Sequence, residues 1–66
     1  MNEIEKCYLA FGLDMNATED EVISKYRNMK EQFDKVIVSE DREASKRARD
    51  SLIKLNRIYA RIKGYN

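Results

Sequence analysis

The apolar residues of this 66-residue chain recur at intervals of three and four over two long stretches. That spacing restricts the fold more than any other feature. Val22, Tyr26, Met29 and Phe33 step by four, three and four, which places them along one side of a helix. Ala48, Leu52, Leu55, Tyr59 and Ile62 step by four, three, four and three and form a second stripe. The only β-branched run is Val36-Ile37-Val38, too short to support a sheet. The chain contains no proline, and its two glycines stand at 12 and 64. The pattern predicts an all-α fold.

Start and stop signals divide the chain into three helices. The first is expected at about 3–10, with Asn2 as N-cap and Glu5 at the capping-box position. Ile4, Cys7, Tyr8 and Phe11 form its apolar face, and Gly12 permits a turn after it. Thr18-Glu19-Asp20-Glu21 is a capping box with three acids in the first turn, which suits the helix dipole. It predicts a second helix at about 19–36. Ser39-Glu40-Asp41 is the next start signal, and a third helix follows at about 40–63 with Gly64 as C-cap. The short connection makes the second and third helices an antiparallel hairpin. The first helix is expected to cross their apolar seam, giving a small three-helix bundle and a single domain over 1–66.

The composition removes several kinds of chemistry. There is no histidine, so the commonest general base near neutral pH is missing. Cys7 is the sole cysteine, which rules out an intrachain disulfide and a CxxC metal pair. It reads as a small core residue. Asp14 with Glu19, Asp20 and Glu21 lacks the ligand spacing of a calcium loop. No enzyme activity and no cofactor or metal is expected. No stretch approaches the roughly 20 apolar residues of a membrane span. The acidic start lacks an apolar leader, and the expectation is a reducing, cytoplasmic location.

The stretch Tyr8-Leu9-Ala10-Phe11-Gly12-Leu13-Asp14-Met15-Asn16-Ala17-Thr18 resembles the opening of a J domain, YEVLGVSRDAT. Tyr8, Gly12, Ala17 and Thr18 match it outright. Glu21-Val22 stands where that family has Glu-Ile, and Tyr26-Arg27 where it has Tyr-Arg. Met29 and Phe33 take its Leu and aromatic positions, and Leu52, Leu55, Asn56, Tyr59 and Ile62 are similar to its F..IN.AY..L. The resemblance covers about residues 8–62. It departs where the family has His-Pro-Asp, since Asp34-Lys35-Val36 follows the aromatic here. In the family that tripeptide couples the J domain to ATP hydrolysis by Hsp70. Its fourth helix also lacks a counterpart after Gly64. Degenerate J-like proteins that lack the tripeptide include one with an Asp-Lys pair in that region, which acts by pairing with a true J protein.

The resemblance implies a non-catalytic protein-interaction module whose partner is an Hsp70 or a J protein. The family's second helix presents a basic face to Hsp70, and Lys25, Arg27, Lys30 and Lys35 remain on it here. Glu21 with Lys25 and Arg27 with Glu31 stand at ion-pair spacing and are expected to satisfy part of that charge. The expected contact is the second helix together with Asp34-Lys35-Val36 and the residues to Val38. Ile23 and Ile53 lie off the core stripes and, with Val36-Ile37-Val38, make a candidate docking patch. Asn56 is expected to make a structural hydrogen bond.

Charge gives the alternative. Residues 1–38 carry eight acids and five bases, net −3, and residues 39–66 carry eight bases and four acids, net +4. The two halves are expected to pack together and partly cancel. Otherwise Arg47, Lys54, Arg57 and Arg61, with Lys46 and Arg49, form a basic face on the third helix and the chain is a nucleic-acid-binding bundle. The overall net charge of +1 argues against that reading.

Overall fold

The structure is a computed structural model describing residues 2–65, and it consists of α1 (Glu3–Ala10), α2 (Glu19–Ile37) and α3 (Arg42–Tyr65). There is no strand among the described residues. Each helix begins on an oxygen side chain that satisfies an otherwise free backbone N–H. The Asn2 Oδ1 accepts from the Glu5 N–H at 2.7 Å. The Thr18 hydroxyl accepts from the Glu21 N–H at 3.1 Å while the Glu21 carboxylate accepts from the Thr18 N–H at 3.3 Å, which closes the capping box. Asp41 starts α3 by accepting from the Ala44 N–H at 3.1 Å.

The turn after α1 requires a glycine. Gly12 has φ +72°, the left-handed region that a side chain disfavours. This places the Gly12 N–H on the Leu9 carbonyl and the Leu13 N–H on the Tyr8 carbonyl, both at 2.9 Å, a Schellman closure of the helix. Asp14 then accepts from the Asn16 N–H at 2.8 Å, and the chain reaches the Thr18 cap three residues past Met15. Thr18→Ala is expected to cost about 1 kcal/mol. A urea melt reads this as a lower midpoint at unchanged slope, and Thr18→Ser should restore it. An unmoved midpoint for the alanine variant would mean that the cap contributes nothing.

Pairings along the hairpin fix its direction. The Tyr26 ring of α2 stacks on Tyr59 of α3 at 4.1 Å between centroids, and its hydroxyl donates to the Asn56 Oδ1 at 2.6 Å. At the far end of α2 the Ile37 carbonyl accepts from the Ser45 hydroxyl at 2.7 Å. As α2 advances, its partners on α3 move backwards, so the two helices are antiparallel. α3 is the spine of the molecule. Both α1 and α2 pack along it, but α1 and α2 bring no Cα atoms within 8 Å of each other. The expected crossing of the seam is thus replaced by α1 lying against α3. Its side chains Cys7, Tyr8 and Phe11 join Val22, Leu55 and Ile62 in one buried cluster. Tyr26, Met29, Phe33, Leu52 and Tyr59 pack against that cluster as their spacing predicts.

Two bounds of α3 differ from the sequence reading. It starts at Arg42, because Asp41 is the residue whose side chain makes the capping bond. It also runs through Gly64 to Tyr65, and Gly64 does not take a left-handed conformation. The expected C-cap is therefore part of the helix. The molecule measures 39 × 21 × 17 Å with a radius of gyration of 12.8 Å. A compact chain of this length would have about 11 Å. The extra length comes from the α2–α3 rod, and it leaves long helix faces uncovered.

Candidate interaction surfaces

The residues singled out for binding do not form one surface. Positions on α2, counted at about 100° per residue, place Ile23, Arg27, Lys30 and Asp34 on one flank of the core stripe. Lys25 and Val36 fall on the opposite flank, and Lys35 points between the two, away from α3. Lys25 lies over the first turn, where a Cβ placed on Gly12 would sit 3.7 Å from its Cε. Ile23 is half-buried and lines a hollow of about 250 Å³ with Val22, Tyr59 and Ile62, rimmed by Glu19 and Lys63. Val36 stands thirteen residues further along α2, about 20 Å away. Ile53 is exposed on the outer side of α3. The aliphatic patch imagined from Ile23, Ile53 and Val36-Ile37-Val38 is thus spread over three places.

The hairpin end has its own geometry. Asp34, Lys35 and Val36 are helical, and α2 ends only at Ile37. Val38 is the C-cap and is 82% exposed, leaving a connection of only Val38 to Asp41. Phe33 and Val36 of α2 face Ala44, Arg47, Ala48 and Ser51 of α3 across a shallow groove of about 270 Å³. Ser45 closes the bottom of this end, buried and bonded to the last turn of α2. Serine carried no signal for this role, because only the fold brings it beneath the Ile37 carbonyl. Leu9 and Met15 were also missed: both are exposed and flank a second hollow with Glu5, Asp14 and Asn16.

Electrostatics on α2 differ from the expected pairing. Glu21 caps Thr18 and does not pair with Lys25. Glu31 pairs with Lys35 at 3.9 Å and not with Arg27. Lys30 meets the Asp34 carboxylate at 3.0 Å. That hydrogen bond, then the carboxylate's charge, holds the Lys30 ammonium above its ordinary pKa. The sign follows from the raised value: the pair's contribution is present at neutral pH and is lost as pH rises past the ordinary lysine range. Lys25 and Arg27 are exposed and have no ion-pair partner among the described residues.

The expected cancellation of the two charged halves is also largely missing. Among the described residues one ion pair joins them, Arg61 to Glu3 at 2.6 Å. Of the five acids of α2, Glu21 is used in its cap and Glu31 and Asp34 in its own i,i+4 pairs. Cys7 is buried as a core residue, and Asn56 makes its structural bond to Tyr26. No helix among the described residues is long and apolar enough to cross a membrane, and no three acidic or cysteine side chains gather as metal ligands. The chain matches no family model, and comparison with curated proteins and with solved structures gives no similar protein.

Proposed function

We propose that this chain is a J-like protein-interaction module that binds an Hsp70 or a J protein through α2 and the hairpin end and does not stimulate ATP hydrolysis. The observation that carries this reading is the course of α2 at Asp34-Lys35-Val36. Where a J domain has its His-Pro-Asp, this chain stays helical, ties Asp34 to Lys30 and exposes an apolar groove of Phe33, Val36 and Ala44. A groove of this kind takes an aliphatic side chain of a partner by burial. Lys25 and Arg27 supply the charge that guides an acidic surface towards α2. The turn from Tyr8 to Thr18 supports the same reading. Each of its signature residues has a local task, with Gly12 reversing the chain and Thr18 capping α2.

The test is an NMR titration of the ¹⁵N-labelled protein, first with ATP-bound Hsp70 and then with an active J protein. Shifts centred on Lys25, Arg27 and the segment from Phe33 to Val38 are expected with one of the two. Absence of shifts with both, or shifts confined to α3, would refute the reading.

A further inference from the structure

The outer face of α3 is the least satisfied surface of the molecule. Its 24 residues hold eight bases and only two acids, Glu43 and Asp50, for a net +6. The remainder of the chain is net −5, given the overall +1. Arg61 is paired to Glu3, and the Lys63 ammonium lies 5.5 Å from the Tyr59 ring centroid. The other six, Arg42, Lys46, Arg47, Arg49, Lys54 and Arg57, are exposed and have no ion-pair partner among the described residues. Mutual repulsion of so many cations on one helix is unfavourable, so the face gains from an anionic partner.

One residue decides which kind. Ile53 is 52% exposed and sits within this face. Steps of four along α3 give the ridge Arg49, Ile53, Arg57, Arg61, with Lys46, Asp50 and Lys54 on the ridge beside it. An aliphatic side chain is thus flanked one turn above and one turn below by a guanidinium. We infer that this face docks an acidic helix of a partner protein, with an apolar residue against Ile53 and carboxylates one turn to either side against Arg49 and Arg57. Guanidinium and carboxylate match as planar, two-point partners. The arrangement is that of a helix pair with an apolar seam and flanking charges. The cationic stretch from Lys46 to Arg61 is about 22 Å long, room for some four turns of a partner helix.

A nucleic-acid backbone fits the same charges less well. Phosphates gain nothing from Ile53, the exposed Tyr65 ring stands at the end of α3 about 18 Å from Ile53 and outside the stretch from Lys46 to Arg61, and the net −5 elsewhere repels a long polyanion. Arg47 also lines the hairpin groove, but the docking contacts at Arg49, Ile53 and Arg57 lie outside both α2 and that groove, so this second surface is independent of the chaperone reading.

The test uses the full chain and three probes in fluorescence anisotropy. The first is a synthetic acidic helix of about 18 residues, long enough to span the face, with one leucine flanked by glutamates four residues to either side. The second carries arginines in place of those two glutamates, and the third is a single-stranded oligo-dT. The first probe is expected to bind, about tenfold or more weaker to the Arg49→Glu/Arg57→Glu variant and about five- to tenfold weaker to Ile53→Ser. The arginine probe should regain affinity for the doubly reversed variant, which excludes loss of folding as the cause. Circular dichroism checks the helicity of both variants. Three results would overturn the proposal. One is no binding of the acidic helix. Another is binding indifferent to Ile53→Ser. The third is tighter binding of oligo-dT with a steep salt dependence, which would make the face a phosphate track. Self-association of the chain in sedimentation, abolished by Arg49→Glu/Arg57→Glu, would assign the face to a second copy and equally overturn it.

Discussion

Phe11→Ala should unfold the chain in water at room temperature. Phe11 is 1% exposed and belongs to the single buried cluster, together with Cys7, Tyr8, Val22, Leu55 and Ile62. Its ring lies 6.5 Å from that of Tyr59, which in turn stacks on Tyr26 of α2. Phe11 is also the C-cap of α1, so the same residue ends the first helix and fastens it to α3. Truncating such a ring costs about 3–5 kcal/mol, because the transfer energy is lost and a cavity remains. A core in a domain of this size supplies only about 3–5 kcal/mol net. The two amounts are equal within their range, so little or no folded protein should remain. Far-UV circular dichroism with a urea titration checks this. A cooperative transition retaining more than half of the parent stability would show that α1 is not integral to the core.

The second large effect separates two isoleucines of the same helix. Ile62 is 1% exposed and lies in the buried cluster, whereas Ile53 is 52% exposed. Ile62→Ala is expected to cost about 2–5 kcal/mol. Ile53→Ala should change stability by no more than about 0.5 kcal/mol. Chemically identical substitutions nine residues apart thus differ by most of the stability of the domain. Urea midpoints of the two variants measure the difference. Equal midpoints would mean that α3 turns a different face to the core.

Much of this core could be read directly from spacing. The Asn2 cap and the Thr18 capping box marked the starts of α1 and α2, and the stripes from Val22 to Phe33 and from Ala48 to Ile62 pack as their period demands. Periodicity describes one face per helix, however, and α3 has two neighbours. Ile58, off the predicted stripe, packs against the core for that reason, because α1 covers a second side of α3. Ser45 is buried at the other end of the hairpin, beneath the last turn of α2. Gly64 shows the limit of a residue-type rule. Glycine permits a left-handed cap but does not enforce one, and here nothing in the following turn draws the chain out of the helix.

The surfaces were less legible than the core. Ion-pair spacing allowed Glu21–Lys25 and Arg27–Glu31, but each acid had a competing partner at equal or shorter range. Such competition is decided by side-chain geometry, which spacing does not contain. The charge asymmetry of the halves was visible in the sequence, and its meaning changed with the fold. Opposite halves were expected to neutralise each other, yet the cations of α3 point outward while the acids of α2 serve that helix itself. Ile23 and Ile53 both lie off the stripes in the sequence. The structure separates them, placing one in a hollow beside Tyr59 and the other in the middle of a basic face.

The most direct test of the central reading is a single-turnover measurement of ATP hydrolysis by an Hsp70, run with this protein alone and then with an active J protein plus an excess of it. On this reading the chain alone leaves the Hsp70 rate unchanged, and its excess lowers the stimulation given by the J protein, whichever of the two it binds. Stimulation by the chain alone, or a J-protein-stimulated rate that no excess reduces, would contradict it.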